Sequence, residues 1–82
     1  MKIGVISAIL EEPEKCQTQF NKLVSDFRGG IRGRMGIPLK NDISVVCLTV
    51  TGSIDDINSL TGKLGNIPGV TVKTAIAKKE ID

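Results

Sequence analysis

Four glycines and three arginines crowd into Arg28-Gly29-Gly30-Ile31-Arg32-Gly33-Arg34-Met35-Gly36. Glycines let a backbone approach a ligand closely, and guanidinium forks suit phosphate, so one reading is an anion or nucleic-acid contact. The competing reading is a helix end followed by a solvated edge strand with a bulge, and the pattern favours it. A P-loop needs G-x-x-x-x-G-K-[ST], which the segment lacks. At Gly62-Lys63 a leucine, Leu64, stands where a magnesium-holding hydroxyl would be required. Nor do Gly29, Gly30 and Gly33 have dinucleotide-fingerprint spacing, and they open a strand, not a helix.

A second cluster, Glu11, Glu12 and Glu14, surrounds a helix start. Paired carboxylates can exchange protons. At a helix N-terminus, however, they complement the positive end of the dipole, which is the stronger reading here. Cys16 and Cys47 stand thirty-one positions apart without a C-x-x-C and read as free thiols packed as small hydrophobes. The chain has no His, Trp or Tyr. That excludes histidine triads, histidine-ligated metals and aromatic base stacking. No activated nucleophile, metal site or cofactor site is expected.

The elements that carry these residues follow from periodicity. Ile3–Leu10 is short and β-branched and reads as a strand. Pro13 suits the first turn of a helix, and Cys16, Phe20, Leu23, Val24 and Phe27 form its apolar stripe. Gly29-Gly30 is expected to end that helix with a left-handed cap. A second strand runs from Ile31 to Leu39. Ile31, Gly33, Met35, Ile37 and Leu39 are expected on one face and Arg32 and Arg34 on the other. Gly36 suggests a bulge and Pro38 an edge position.

Lys40-Asn41-Asp42 is a turn, so Ile43–Thr51 returns as a hairpin partner. Ser53, with Asp56 three residues on, starts a second helix whose stripe is Ile54, Ile57, Leu60, Leu64 and Ile67. Gly65 is its expected cap. Val70, Val72, Thr74 and Ile76 alternate with Thr71, Lys73, Ala75 and Ala77 in a fourth strand.

The order β-α-β-β-α-β with right-handed crossovers gives an α+β, ferredoxin-like domain. Its sheet has four antiparallel strands in the order 4-1-3-2, with both helices on one face. The 82 residues hold a single domain, and residues 78–82 are expected to be a loose tail. RNA-recognition domains share this order but need aromatics on the central strands, which carry none here. Heavy-metal carriers need a C-x-x-C where this chain has Glu11-Glu12-Pro13.

The first and third strands are apolar on both faces, yet two helices cover only one. An exposed apolar patch flanked by Arg32, Arg34 and Lys73 is therefore expected, and with it a homodimer or higher homo-oligomer through the sheet. A net charge of +2 gives no reason to expect nucleic-acid binding. The opening apolar run has no cleavage site and is too short to span a bilayer, so a cytoplasmic location without membrane contact is expected.

From Arg34 onward the chain resembles a family. The residues are Arg34-Met35-Gly36-Ile37-Pro38-Leu39, then Ile43–Val50, then Leu60-Thr61-Gly62-Lys63-Leu64-Gly65-Asn66-Ile67-Pro68-Gly69-Val70-Thr71-Val72-Lys73-Thr74. They are similar to the iron-only hydrogenase system regulators, proteins of about this length with an ACT-like fold. The Gly-Lys-Leu-Gly…Gly-Val…Val-Lys pattern is also similar to the C-terminal regulatory domain of nickel-responsive CopG-type repressors. Those bind metal through His and Cys, and here His is absent. A DNA-binding segment like theirs is not expected either, and Ile37 stands where an aromatic is more usual.

The resemblance implies regulation by binding a small effector or a protein partner, without catalysis. An adaptor that docks to a maturation or regulatory partner with no small ligand is the alternative, and direct DNA contact a weaker third. By the same analogy an effector would sit between protomers. Glu11, Glu12 and Pro13 of one would lie beside Arg32, Arg34 and Gly36 of its neighbour.

Overall fold

A computed structural model of the chain describes residues 1–81. The elements are β1 (Lys2–Glu11), α1 (Pro13–Ser25), β2 (Gly30–Leu39), β3 (Ile43–Gly52), α2 (Ile54–Gly65) and β4 (Val70–Ile76). All neighbouring strands are antiparallel, in the order β2-β3-β1-β4. This is the expected topology read from the other edge.

Alternation decides which residues of the central strands meet the helices. On β1 the even positions Gly4, Ile6, Ala8 and Leu10 are buried, and on β3 Val46, Leu48 and Val50. They pack with Cys16, Phe20 and Val24 of α1, Ile57, Leu60 and Leu64 of α2, and Ile67. Val70, Val72, Thr74 and Ile76 pair opposite the buried positions of β1 and so face the same layer. On the β2 side α1 meets the sheet through Asn21 and Arg34, and on the β4 side Thr61 of α2 shares a 2.7 Å hydrogen bond with Thr74.

Ser53 caps α2 as expected, its hydroxyl accepting from the Asp56 N–H at 3.0 Å. Asn41 and Asp42 take the positive φ of the β2–β3 turn, which short polar side chains tolerate. Gly69 has φ +86°, and a Cβ there would stand 2.9 Å from the Glu11 carbonyl oxygen. The Glu11 N–H in turn donates to the Gly69 carbonyl at 2.8 Å. The start of β4 is thus locked against the end of β1, where only glycine fits.

Several expectations are corrected. α1 stops at Ser25 with Asp26 as its cap at φ −86°, four residues before the glycines, and Gly29 and Gly30 are not left-handed. Gly29 is instead needed for close approach, because a Cβ would collide with the Thr51 carbonyl and the Phe27 ring. Gly65 closes α2 from inside, and Asn66 is the cap. Ile54 is 48 % exposed, since it precedes the turn that first reaches the core.

Residues 78–81 run beside the N-terminus. The Ile81 N–H donates to Met1 O at 2.9 Å, the Met1 ammonium donates to Ile81 O at 3.0 Å and pairs with Glu80 at 2.9 Å. The expectation for Asp82 lies outside the described residues.

The β2 bulge lies between Ile31 and Gly33, not at Gly36. Its extra residue, Arg32, reverses the alternation on either side. Ile31 pairs opposite Val50 and joins the helix-side layer, while Gly33, Met35, Ile37 and Leu39 pair opposite Thr49, Cys47, Val45 and Ile43 on the other. Arg32 and Arg34 therefore do not share a face.

Candidate functional site

The helix-free face of the sheet is the largest feature the elements create. Met35, Ile37 and Leu39 of β2 stand on it beside Val45 and Cys47 of β3 and Val5 and Ile9 of β1. Val5, Ile9, Met35, Ile37 and Leu39 are 41–55 % exposed, and they are five of the eight large hydrophobic residues exposed among those described. Ala75 and Thr71 of β4 extend the patch, opposite Val5 and Ile9. Its rim is charged in both signs, with Glu11 at one end of β1, Lys73 opposite Ser7, and Arg32 at the bulge. Arg32 is fixed there by its Nε, which donates to Thr51 Oγ1 at 3.2 Å.

On the opposite side, α1 overhangs the edge strand. The helix-facing residues of β2 after the bulge are Arg34, Gly36 and Pro38, opposite Leu48, Val46 and Ser44. None of the three fills the space beneath the helix, and a Cβ on Gly36 would meet nothing within 4 Å. A cleft of about 190 Å³ results, walled by Pro13 and Gln17 of α1 and by Arg34, Gly36 and Pro38 of β2. Arg34 reaches α1 from this wall. One of its terminal nitrogens donates to Asn21 Oδ1 at 2.6 Å, and the guanidinium lies 5.9 Å from the Phe20 ring centre.

The six site residues expected from the sequence therefore fall in three places. Pro13, Arg34 and Gly36 line this one cleft within a single chain. Glu11 and Glu12 open instead onto a groove with Lys15, Pro68 and Gly69. Arg32 stands on the other face of the sheet. Gln17, Pro38 and Ser44 complete the cleft and were missed. Counting alternate positions back from the hairpin turn would have found Pro38 and Ser44, because that count crosses no bulge.

The β1–α1 corner is electrostatically crowded. Glu12 has φ 55° and its N–H donates to the Asp42 carbonyl at 3.0 Å. A hydrogen bond between the Glu14 and Asp42 carboxyl groups holds Asp42 above the ordinary carboxylate value. Lys15 is held above its own by Glu12, 2.8 Å away. Both groups are exposed. Burial pushes the Cys16 thiol up, and its Sγ donates to the Glu11 and Glu12 carbonyls at 3.8 Å. Both cysteines are free; Cys16 is buried, and Cys47 lies half-buried on the open face. Among the described residues no three of Cys, Asp and Glu converge as metal ligands, and no helix is long and apolar enough to cross a membrane.

Residues 2–74 match the model of the TM1266-like family, described as "Iron-only hydrogenase system regulator, putative". The chain belongs to this family. The solved structure of the uncharacterized protein TM1266 from Thermotoga maritima is 33 % identical, with a TM-score of 0.87 over 94 % of this chain and 98 % of that one. The ACT domain of GTP pyrophosphokinase from Chlorobium tepidum superposes with a TM-score of 0.78 at 23 % identity, over 92 % of this chain and all of that domain. The C-terminal domain of MgtC from Mycobacterium tuberculosis gives 0.68 at 14 % identity, over 95 % and 89 %. The GTP pyrophosphokinase domain shows the ACT-like fold. No curated protein matches the chain. The family's description is that of a regulator, and no catalytic family is indicated.

Proposed function

We propose that this family member is a non-catalytic regulatory module of an iron-only hydrogenase system, located in the cytoplasm, that works as a homodimer or higher oligomer joined through the open faces of its sheets. The observation that carries the reading is that face. A monomer of 8.8 kDa ordinarily exposes about 4,800 Å², and this chain exposes 5340 Å². Five of the eight large hydrophobic residues exposed among those described lie in one patch with a charged rim, the layout of an interface. A rim of both signs, with Glu11 against Arg32 and Lys73, suits a self-complementary two-fold contact.

An effector or a protein partner would act on this module by binding alone. No side chain in the cleft or at the acidic corner has a base paired to a nucleophile. Sedimentation velocity over a range of protein concentrations tests the assembly. A dimer or larger species at micromolar protein is expected, and a monomer at all concentrations refutes it. In a host with an iron-only hydrogenase, deleting the gene should change the amount or activity of that enzyme. Unchanged hydrogenase under every growth condition would refute the regulatory role.

A further inference from the structure

We infer that the cleft beneath α1 is a binding site for a small monocarboxylate with a short apolar chain, held by Arg34 within one protomer. The inference rests on the binding-module reading above but not on self-association. Arg34 uses one of its N–H groups on Asn21 and has no acidic partner among the described residues. Its remaining donors form the fork that a carboxylate accepts. From there the cleft follows β2 to Pro38, four residues on and so about 13 Å away. That stretch is apolar, with Leu10 and Val46 as floor and Pro13 and Pro38 at the far end.

The volume of about 190 Å³ equals roughly six waters, room for a chain of about five carbons. Polar groups are few, with Gln17 and Ser44 beside the apolar stretch. That is the usual mixture of a small-molecule site, largely apolar with a few orienting polar atoms.

Charge also limits what can enter. Glu12, Glu14 and Asp42 gather where α1 begins, next to Pro13 and the turn after β2. A second negative charge on the ligand would point toward this end, where Lys15 pairs with Glu12 and leaves Glu14 and Asp42 to oppose it. The site therefore discriminates against dicarboxylates, and its cation and its anions lie at opposite ends of the cleft.

The test is an amide-shift NMR titration of the full chain with pentanoate, pentanamide and glutarate. Pentanoate should shift the amides of Gln17, Arg34, Gly36 and Ser44 in a saturable way. Pentanamide and glutarate should each bind about tenfold more weakly or worse. Arg34→Gln should weaken pentanoate by a similar factor, and Gly36→Leu, which fills the cleft, should abolish the shifts at Gln17 and Ser44. If Gly36→Leu does not fold, Arg34→Gln and the pentanamide comparison decide alone. No saturable shift at 10-fold molar excess and millimolar ligand, or equal binding by Arg34→Gln, overturns the site. Binding by a chain that sediments as a monomer would refute the assembly and leave the site standing. A dimer without binding would do the reverse.

Discussion

Replacing Ile9 by Glu puts a carboxylate in the middle of the open face while leaving the core untouched. Ile9 lies on a central strand, between Val45 of β3 and Thr71 of β4, and is 44 % exposed. Fully burying such a side chain is worth about 1.5–3 kcal/mol, so covering its exposed half contributes about 1 kcal/mol. The five half-exposed side chains of the patch together offer about 4–7 kcal/mol per protomer on the same basis, or about 8–14 kcal/mol for a two-fold pair. Association costs about 4–15 kcal/mol in lost freedom, so the margin is narrow and the patch supplies most of the drive.

A two-fold contact counts the substitution twice. The lost burial is then about 2 kcal/mol, and desolvating two carboxylates without partners adds at least about 2 more. Some 4 kcal/mol corresponds to a Kd raised several-hundredfold. Sedimentation velocity at a concentration where the wild type is fully associated should show the variant as monomer. Its helical circular dichroism should be unchanged, because Ile9 points away from both helices. An Ile9→Glu chain that assembles as well as wild type would refute the reasoning, whatever its stability.

Other consequences follow from particular contacts. Gly69→Ala forces a side chain into φ +86° and against the Glu11 carbonyl. A loss of about 2 kcal/mol is expected from the left-handed strain and the crowding, and thermal melts should show Tm lowered by about 10 °C; an unchanged Tm would contradict the lock between β1 and β4. In the monomeric Ile9→Glu chain, whose open face is uncovered, iodoacetamide at mildly alkaline pH should modify Cys47 well before Cys16, whose thiol is buried and held above its ordinary value; mass spectrometry showing equal modification would contradict this.

Asp42, held above its unfolded value by Glu14, binds its proton more tightly in the folded chain. Its contribution is therefore present at low pH and is lost as pH rises from the ordinary aspartate range through the raised value. Melts of Asp42→Asn over that window should lack this fall relative to wild type. Identical slopes would remove the Glu14–Asp42 contact from the account.

Most of the fold was legible because apolar periodicity is a property of the residues themselves. The Ser53 cap, the turn at Asn41-Asp42 and the helix stripes from Cys16 to Val24 and from Ile57 to Leu64 depend on contacts within a few positions, and they hold; Phe27 falls beyond α1 and Ile54 is exposed. The apolar open face was legible too, because both alternating sets on β1 and β3 are apolar and helices cover only one of them. What failed depends on contacts distant in sequence. Gly29 looks like a helix cap until Thr51 is brought against it. The bulge sits at Arg32, beside Gly33 rather than at Gly36, and there Arg32 reaches Thr51 from the open face.

That one inserted residue also explains why the candidate site was only half legible. Arg34 and Gly36 were named for their chemistry, but an unbroken alternation set Arg32 on their face, and the bulge puts it on the other. The bulge does not change the relation between Arg34, Gly36 and Pro38, which share one face. What the sequence hid was that α1 ends early and overhangs them, with Gln17 closing the wall. Whether Glu11 and Glu12 approach a neighbour's edge strand depends on a second chain and is not a property of one.

The central claim is that the open sheet face is where two copies meet. Solvent paramagnetic relaxation of methyl groups tests it directly, with a soluble gadolinium chelate at low and high protein concentration. Ile54 is an internal control, 48 % exposed but on the helix side. At high concentration the methyls of Val5, Ile9 and Ile37 should be strongly protected while Ile54 stays fully relaxed by the probe. Val5, Ile9 and Ile37 remaining as accessible as Ile54 at every concentration would contradict the account.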